Sequence, residues 1–325
     1  MTGILDPFSR SIDYLRISVT DRCNLRCIYC MPPQGIPQIS HSEILTYEEI
    51  RTLVQAATGL GINRIRLTGG EPLVRADLPE LVGMLARIKG IRELSLTTNG
   101  TLLKKCAPEL KRAGLTRVNV SLDTLKTGRF HEIARLGRLK DVLEGIAAAK
   151  DAGLEPLKVN MVVLRGINDD EVLHFATMTR EEAWHVRFIE LMPFNTVAES
   201  VPSAELQRRI GSLGKLEPCA SIDGNGPAAY YRLTGARGTV GFIAPISDTS
   251  FCSRCSRMRL TPDGKLRPCL LGEDEIDVRT ALRNNASIEE LEGLIAKAVA
   301  AKPERHRLAG SNVRLAKRNM SQIGG

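Results

Sequence analysis

Aromatic side chains are scarce in this sequence: seven Phe, five Tyr and one Trp make up 4% of 325 residues. Proteins that bind single-stranded nucleic acid stack bases on aromatic rings and cluster their basic residues. Here the rings are few and the Lys and Arg are dispersed, so nucleic acid is not the expected partner. The net charge of +8 and pI near 9.2 still suit a field that steers some polyanion. No apolar run approaches the roughly 20 residues that span a bilayer, and no membrane segment is expected. The five histidines, including His131, His174 and His185, have no metal-ligand spacing. Low-complexity segments and sequence repeats are absent as well. No leader is legible in Met1–Asp6, which makes a reducing cytoplasm the expected compartment. Eight cysteines persist there as thiols and seldom as disulfides.

A fourth cysteine is also missing where one would complete a set. Cys23, Cys27 and Cys30 form CxxxCxxC in a single short run. An electron-transfer cubane takes four thiolates. Three leave one iron uncommitted, and that iron can bind a substrate. Zinc sites favour CxxC pairs that come in twos, so the spacing points to a catalytic cluster. Farther on, Cys252-Ser253-Arg254-Cys255 and Cys269 form a second group of three. For this group a zinc ribbon that borrows Cys219 stays open from the cysteine spacing alone. Cys106 and Cys219 match no cluster spacing and are read as structural.

The first loop, with Tyr29 before its third cysteine, resembles the cluster motif of the radical S-adenosylmethionine enzymes. Gly69-Gly70-Glu71-Pro72, after the strand-like Ile65–Thr68, is similar to the segment with which that superfamily holds the methionine amino group. Glycine there would let the backbone approach a ligand closely. The second three-cysteine group, Arg257-Met258-Arg259 and the final Gly324-Gly325 together resemble the GTP 3',8-cyclases, the family that takes the first step of molybdenum cofactor biosynthesis. That likeness runs from about Arg16 to the last residue.

Composition allows a large core in one or two domains, at 43% hydrophobic and 25% charged residues. Strand-like runs recur at Leu15–Val19, Arg64–Leu67, Glu93–Leu96, Arg117–Leu122, Leu157–Leu164 and Val186–Glu190, with amphipathic stretches between them. Thr46-Tyr47-Glu48-Glu49 reads as a capping box that opens a helix with Ile50, Leu53, Val54 and Ala57 on one stripe. That helix should stop at Gly59 or Gly61. Further helices fit Leu78–Ile88, Leu102–Ala113, Leu139–Ala152 and Asp170–Thr179. The expected fold is α/β: a partial (βα)6 parallel barrel with a C-terminal iron–sulfur region, since eight units would close one of the usual size. Polar or glycine motifs follow the strands at Thr20-Asp21, Thr68–Glu71, Thr97–Gly100, Ser121–Asp123 and Met192–Asn195. In α/β barrels such ends converge on the ligand face. The alternation is expected to stop near Pro202–Pro218, which divides residues 1–218 (radical barrel) from 219–325 (C-terminal cluster and GTP region). A late helix with the capping box Ser287–Glu290 carries Leu291, Leu294, Ile295 and Ala298 on a face read as packing.

The resemblance implies two [4Fe-4S] clusters, on Cys23, Cys27 and Cys30 and on Cys252, Cys255 and Cys269, with S-adenosyl-L-methionine as cofactor. Tyr29, Gly70, Ser121 and Met192 would border the cofactor. GTP would meet Arg16, Arg66, Thr97, Lys158, Arg257, Met258 and Arg259, with the guanine at the second cluster. Arg257, Arg259, Gly324 and Gly325 would join the first three cysteines as catalytic residues. The implied reaction is a carbon–carbon lyase step: a 5'-deoxyadenosyl radical takes the ribose 3' hydrogen, and C3' bonds to C8. Implied partners are a reductant protein and the downstream cyclic pyranopterin monophosphate synthase, with the chain a monomer or homodimer. An inward-facing Arg16 or Arg66 would need an anionic partner, because Arg is seldom buried unpaired. Arg254 and Arg267, beside the second group, are read as surface charge. The alternatives weighed are a different radical enzyme with an auxiliary cluster, such as one that modifies peptides, and a basic zinc-bearing nucleic-acid binder.

Overall fold

The computed structural model describes residues 3–193, 197–220, 222, 226–306 and 318–324. Six strands follow one another in space as in sequence: β1 (Tyr14–Ser18), β2 (Arg64–Thr68), β3 (Glu93–Thr98), β4 (Arg117–Ser121), β5 (Lys158–Val163) and β6 (His185–Glu190). All five neighbouring pairs are parallel. Parallel pairing needs a crossover after each strand, and helices supply it: α1 (Tyr47–Gly59), α2 (Leu78–Ala86), α3 (Leu103–Arg112), α4 (Thr127–Ala134), α5 (Leu139–Asp151) and α6 (Val172–Glu181). Thr46 closes its capping box with Glu49, and α1 stops at Gly59. The expected partial (βα)6 barrel is therefore the fold found.

The C-terminal third adds to this sheet. After α7 (Ser203–Gly211), β7 (Thr239–Ile243) pairs parallel with β6, and β8 (Arg257–Leu260) pairs parallel with β1. Eight parallel strands thus sit side by side, flanked by antiparallel strands at both edges of a twelve-stranded sheet. The alternation stops near Pro202–Pro218 as expected: after α7 six strands follow, from Leu216–Pro218 to Ile276–Asp277, with no helix between them among the described residues. Pro202 sits at the N-cap of α7, where proline is tolerated, and Leu216–Pro218 is an edge strand. The two prolines thus bound α7 and the edge strand. The late helix, α8 (Ile288–Ala300), has its capping box and buries Leu291, Ile295, Ala298 and Val299, with its packing partner α1. Leu294 is only half-buried.

Strand alternation sorts the residues into two unlike faces. Outward positions such as Leu15, Ile17, Ile65, Leu67, Val118 and Val159 are at most 1% exposed and form the apolar core beneath the helices. Inward positions are polar. Arg259 stands opposite Arg16, which stands opposite Arg66, and Asn119 stands opposite Lys158. Barrels of this class usually fill their interior with branched apolar side chains; here the lumen is lined with cations.

The two faces predict opposite responses from neighbouring residues of β2. Leu67→Ala should destabilise the ligand-free protein by about 2–5 kcal/mol. Arg66→Met should leave it unchanged or raise its stability, because replacing a buried charge by an apolar group of similar volume is often neutral or favourable. Urea unfolding of both variants checks the pair.

Candidate active site

The strand ends converge on one cavity of about 290 Å³. Its lining includes all six cluster-spaced cysteines, Cys23, Cys27, Cys30, Cys252, Cys255 and Cys269. Tyr29, Gly70, Thr97, Ser121 and Met192 line it too, as do Arg16, Arg66, Arg257 and Arg259. Two motifs more than 200 residues apart in sequence thus face each other across the mouth of the sheet, because β8 returns to pair with β1. Lys158 lies deeper, 1% exposed, with its ammonium 5.6 Å from the Tyr230 ring centre. The Met258 side chain points the other way, into the apolar core, as alternation between Arg257 and Arg259 requires. Gly325, Phe194 and Asn195 lie outside the described residues.

The cysteine loop is held by backbone. Gly70 N donates to Thr20 O and Glu71 N to Arg22 O, both at 2.8 Å. A Cβ on Gly70 would stand 2.4 Å from Arg22 O, and one on Gly69 would stand 2.7 Å from Thr20 O. The protein's own chain by itself already requires glycine here, and Gly70 also lines the cavity. The Glu71 carboxylate, 1% exposed, accepts from Leu73 N, Thr98 Oγ1 and Asn99 N. Asn99 Nδ2 in turn donates to Asn24 Oδ1 at 2.8 Å and reaches Cys23 Sγ at 3.9 Å. Tyr29 Oη donates to Asp123 at 2.7 Å, and Val162 N holds the other oxygen of that carboxylate.

The two cysteine groups sit in opposite electrostatic surroundings. Burial pushes the Cys23 thiol up to about 11 and Cys30 to about 12, and burial, Asp123 and the neighbouring thiols push Cys27 well up. Burial also acts to raise Cys255, but Arg257 and Lys302 outweigh it and hold that thiol at about 6. Fixed positive charge thus outweighs burial at Cys255 but not at Cys23, Cys27 or Cys30. Among the described residues no three His, Cys, Asp or Glu side chains are grouped to hold a single metal ion. Cys219 follows the outermost strand at the other edge of the sheet and does not line the cavity.

Below the thiols lies the cation-lined lumen. Arg66, Arg117, Lys158 and Arg187 are each at most 5% exposed. Glu93 is the carboxylate on this face; it pairs with Arg117 and lies 3.9 Å from Arg66. Burial and the crowding of like charge lower Arg66 and Arg259 to about 10 and lower Arg16 as well. Burial, then Arg117, Arg187 and Arg66, bring Lys158 down to about 6. Arg187, which donates to Asn160 Oδ1 at 2.8 Å, was missed in the sequence. Its parity in the strand His185–Glu190, shared with the inward arginines, was the available signal. Arg267 is not surface charge: it is 3% exposed and pairs with Glu275. Arg254 is exposed and pairs with Asp248 at 2.6 Å. From the C-terminal segment, Met320 and Ser321 line the cavity, and Gly324 O accepts from Arg259. Gly324 has φ +71, and a Cβ on it would meet Thr68 Cγ2 at 2.8 Å, so only glycine fits.

Residues 17–179 match the Radical SAM superfamily, and residues 184–308 match the family described as Molybdenum Cofactor Synthesis C. The chain is 55% identical to the GTP 3',8-cyclase of Moorella thermoacetica, covering 98% of this chain and 99% of that one. It is 53% identical to the GTP 3',8-cyclase of Pelotomaculum thermopropionicum, with the same coverage. Among solved structures, SuiB of Streptococcus suis bound to S-adenosylmethionine superposes with a TM-score of 0.61 at 14% identity, over 91% of this chain and 68% of that one. Native anSMEcpe with bound AdoMet gives 0.55 at 16% identity, over 90% and 81%. At such identities the likeness is one of fold.

The glycine packing makes a specific prediction. Gly70→Ala should cost roughly 1–3 kcal/mol of stability through overpacking and displace the start of the cysteine loop. Denaturant unfolding and iron content of the purified variant read both effects.

Proposed function

This chain belongs to the radical S-adenosylmethionine superfamily and, within it, to the GTP 3',8-cyclase family, and from that premise we propose that it converts GTP to (8S)-3',8-cyclo-7,8-dihydroguanosine 5'-triphosphate. This is the first step of molybdenum cofactor biosynthesis. One observation carries the reading into this molecule: both cysteine triads open into the same cation-lined cavity.

The donor sets suit two [4Fe-4S] clusters, since each group offers three thiols and, among the described residues, no fourth thiol beside them, leaving one iron open for a small molecule. When bound, the first cluster with S-adenosylmethionine supplies a 5'-deoxyadenosyl radical. Cys23, Cys27 and Cys30 would hold that cluster on the loop pinned by Gly70 and Glu71. Tyr29, Gly70, Ser121 and Met192 would hold the cofactor, Tyr29 being fixed by its bond to Asp123.

The lumen supports a polyanionic substrate. Arg16, Arg66 and Arg187 present fixed positive charge where a triphosphate needs it, Lys158 would add a further cation once it takes up a proton, and Thr97 adds a hydroxyl. Cys252, Cys255 and Cys269 would hold the second cluster, with Arg257 and Arg259 beside the guanine. Met258 could contribute only backbone atoms. Arg259 also holds the Gly324 carbonyl, anchoring the C-terminal segment that contributes Met320 and Ser321 to the cavity; Gly325 would follow from there. Positioning is the protein's main contribution to such a reaction, and a misplacement of about 1 Å can cost on the order of a hundredfold in rate. Residues 1–218 would thus serve the cofactor and 219–325 the second cluster and base. The setting we propose is cytoplasmic, with a reductant protein supplying electrons, cyclic pyranopterin monophosphate synthase taking the product, and the chain a monomer or homodimer. No helix among the described residues is long and apolar enough to cross a membrane. The peptide-modifying alternative shares the fold at 14% identity, against 55% over nearly the whole chain for a cyclase.

Anaerobic iron, sulfide and zinc analysis of the wild type and the Cys252→Ser/Cys255→Ser/Cys269→Ser variant tests the assignment. About eight irons should fall to about four, and only the wild type should consume GTP with S-adenosylmethionine and dithionite. About four irons and one zinc in the wild type, with GTP untouched, would sink it. A second test uses Lys158, held at about 6 by burial and neighbouring arginines and so largely neutral near neutral pH. A bound triphosphate favours its charged form and raises its pKa, so GTP binding should take up a proton. Calorimetry in buffers of different ionisation enthalpy should show that uptake, and Lys158→Gln should abolish it.

A further inference from the structure

Lys302 follows α8 and is 4% exposed. Its ammonium donates to Arg257 O at 2.7 Å and to Pro268 O at 2.8 Å. Arg257 lies two residues beyond Cys255, and Pro268 immediately precedes Cys269. β8 and the strand Lys265–Arg267 pair through Arg259 with Arg267 and Leu260 with Leu266. Toward the cavity the two chains part to carry their cysteines, and Lys302 bridges them where the ladder has ended. Arg10 plays a similar part on the third arm, donating to Cys252 O at 2.9 Å, Pro303 O at 2.7 Å and Glu304 O at 2.9 Å. The difference is charge. Asp6 neutralises Arg10 at 2.6 Å, whereas both acceptors of Lys302 are neutral carbonyls. An ammonium has three donors; two go to these carbonyls, and the side chain lines the cavity. Burying a charge is costly unless an opposite charge is brought close, and the Cys252, Cys255 and Cys269 thiols line the same cavity as Lys302.

We propose that Lys302 is a positioning residue and built-in counter-charge for the second cluster, fixing Cys255 relative to Cys269 and offsetting the negative charge of a cubane held by three thiolates. This rests on the second-cluster reading above. A fixed positive charge favours the reduced cluster and so raises its reduction potential.

The test uses the full chain, reconstituted anaerobically, as wild type, Lys302→Met, Lys302→Gln and Lys302→Arg, with iron counted and the midpoint potential of the GTP-responsive paramagnetic signal titrated. Wild type and Lys302→Arg should hold about eight irons. Lys302→Gln, which can still donate to a carbonyl, should give a more negative midpoint. Lys302→Met should lose iron toward about four. Loss of iron in both neutral variants but not in Lys302→Arg also supports the proposal. It is overturned if the neutral variants keep their iron at an unchanged potential, since a purely structural clamp would not move the potential, or if Lys302→Arg fails as Lys302→Met does. About four irons already in the wild type would overturn it together with the second-cluster reading.

Discussion

Like charge crowded into a low-dielectric lumen is the constraint on which the rest of this molecule turns. Arg16, Arg66, Arg117, Lys158, Arg187, Arg257 and Arg259 share the inner face of one curved sheet, with Glu93 as their carboxylate. Such an arrangement is unfavourable alone. It is held because every second residue of the same strands is buried under the helices, where hydrophobic burial is worth roughly 25 cal/mol per Å². Folding energy from the outer face thus maintains an inner face preorganised for a polyanion, and the electrostatic cost is relieved when that anion arrives.

Thiol placement follows a different logic, in which backbone carbonyls are the fixed points. The first cysteine loop is tied down where Gly70 and Glu71 donate to Thr20 and Arg22. The second group is tied down where Arg10 and Lys302 donate to carbonyls of, or next to, the chain segments that carry the cysteines. Side chains that must bind a cluster cannot also anchor their own loop, so neighbouring strands and segments do it for them. The two surroundings then differ in sign: carboxylates Asp123 and Glu71 lie near the first group, and Arg257 and Lys302 near the second.

Much of this was legible in the residues. Period-two runs located the six parallel strands to within two residues at their ends, and the boxes at Thr46 and Ser287 opened helices where expected, because both signals are local. The end of the alternation near Pro202–Pro218 was legible, but the helix and edge strand inside that stretch were not, because proline is compatible with both an N-cap and an edge strand. Arg267 looked superficial for a related reason: its burial depends on Glu275, a partner that no local pattern specifies. Arg187 and Lys302 went unnoticed because neither belongs to a motif and each acts through a contact distant in sequence.

The sequence by itself determined the chemistry. Two sets of three cysteines with their spacing, the Gly69-Gly70-Glu71-Pro72 segment and the run of βα units name thiolate clusters on a partial barrel, since ligand type and strand period are properties of the chain. Tertiary structure alone decided how the parts meet. The return of β8 to the side of β1 brings residues 252–269 onto the same cavity as residues 23–30. The direction of sheet curvature turns the arginines inward, and the backbone of Arg22 requires glycine at Gly70. These depend on long-range pairing and close packing, which are fixed only when distant segments come into contact.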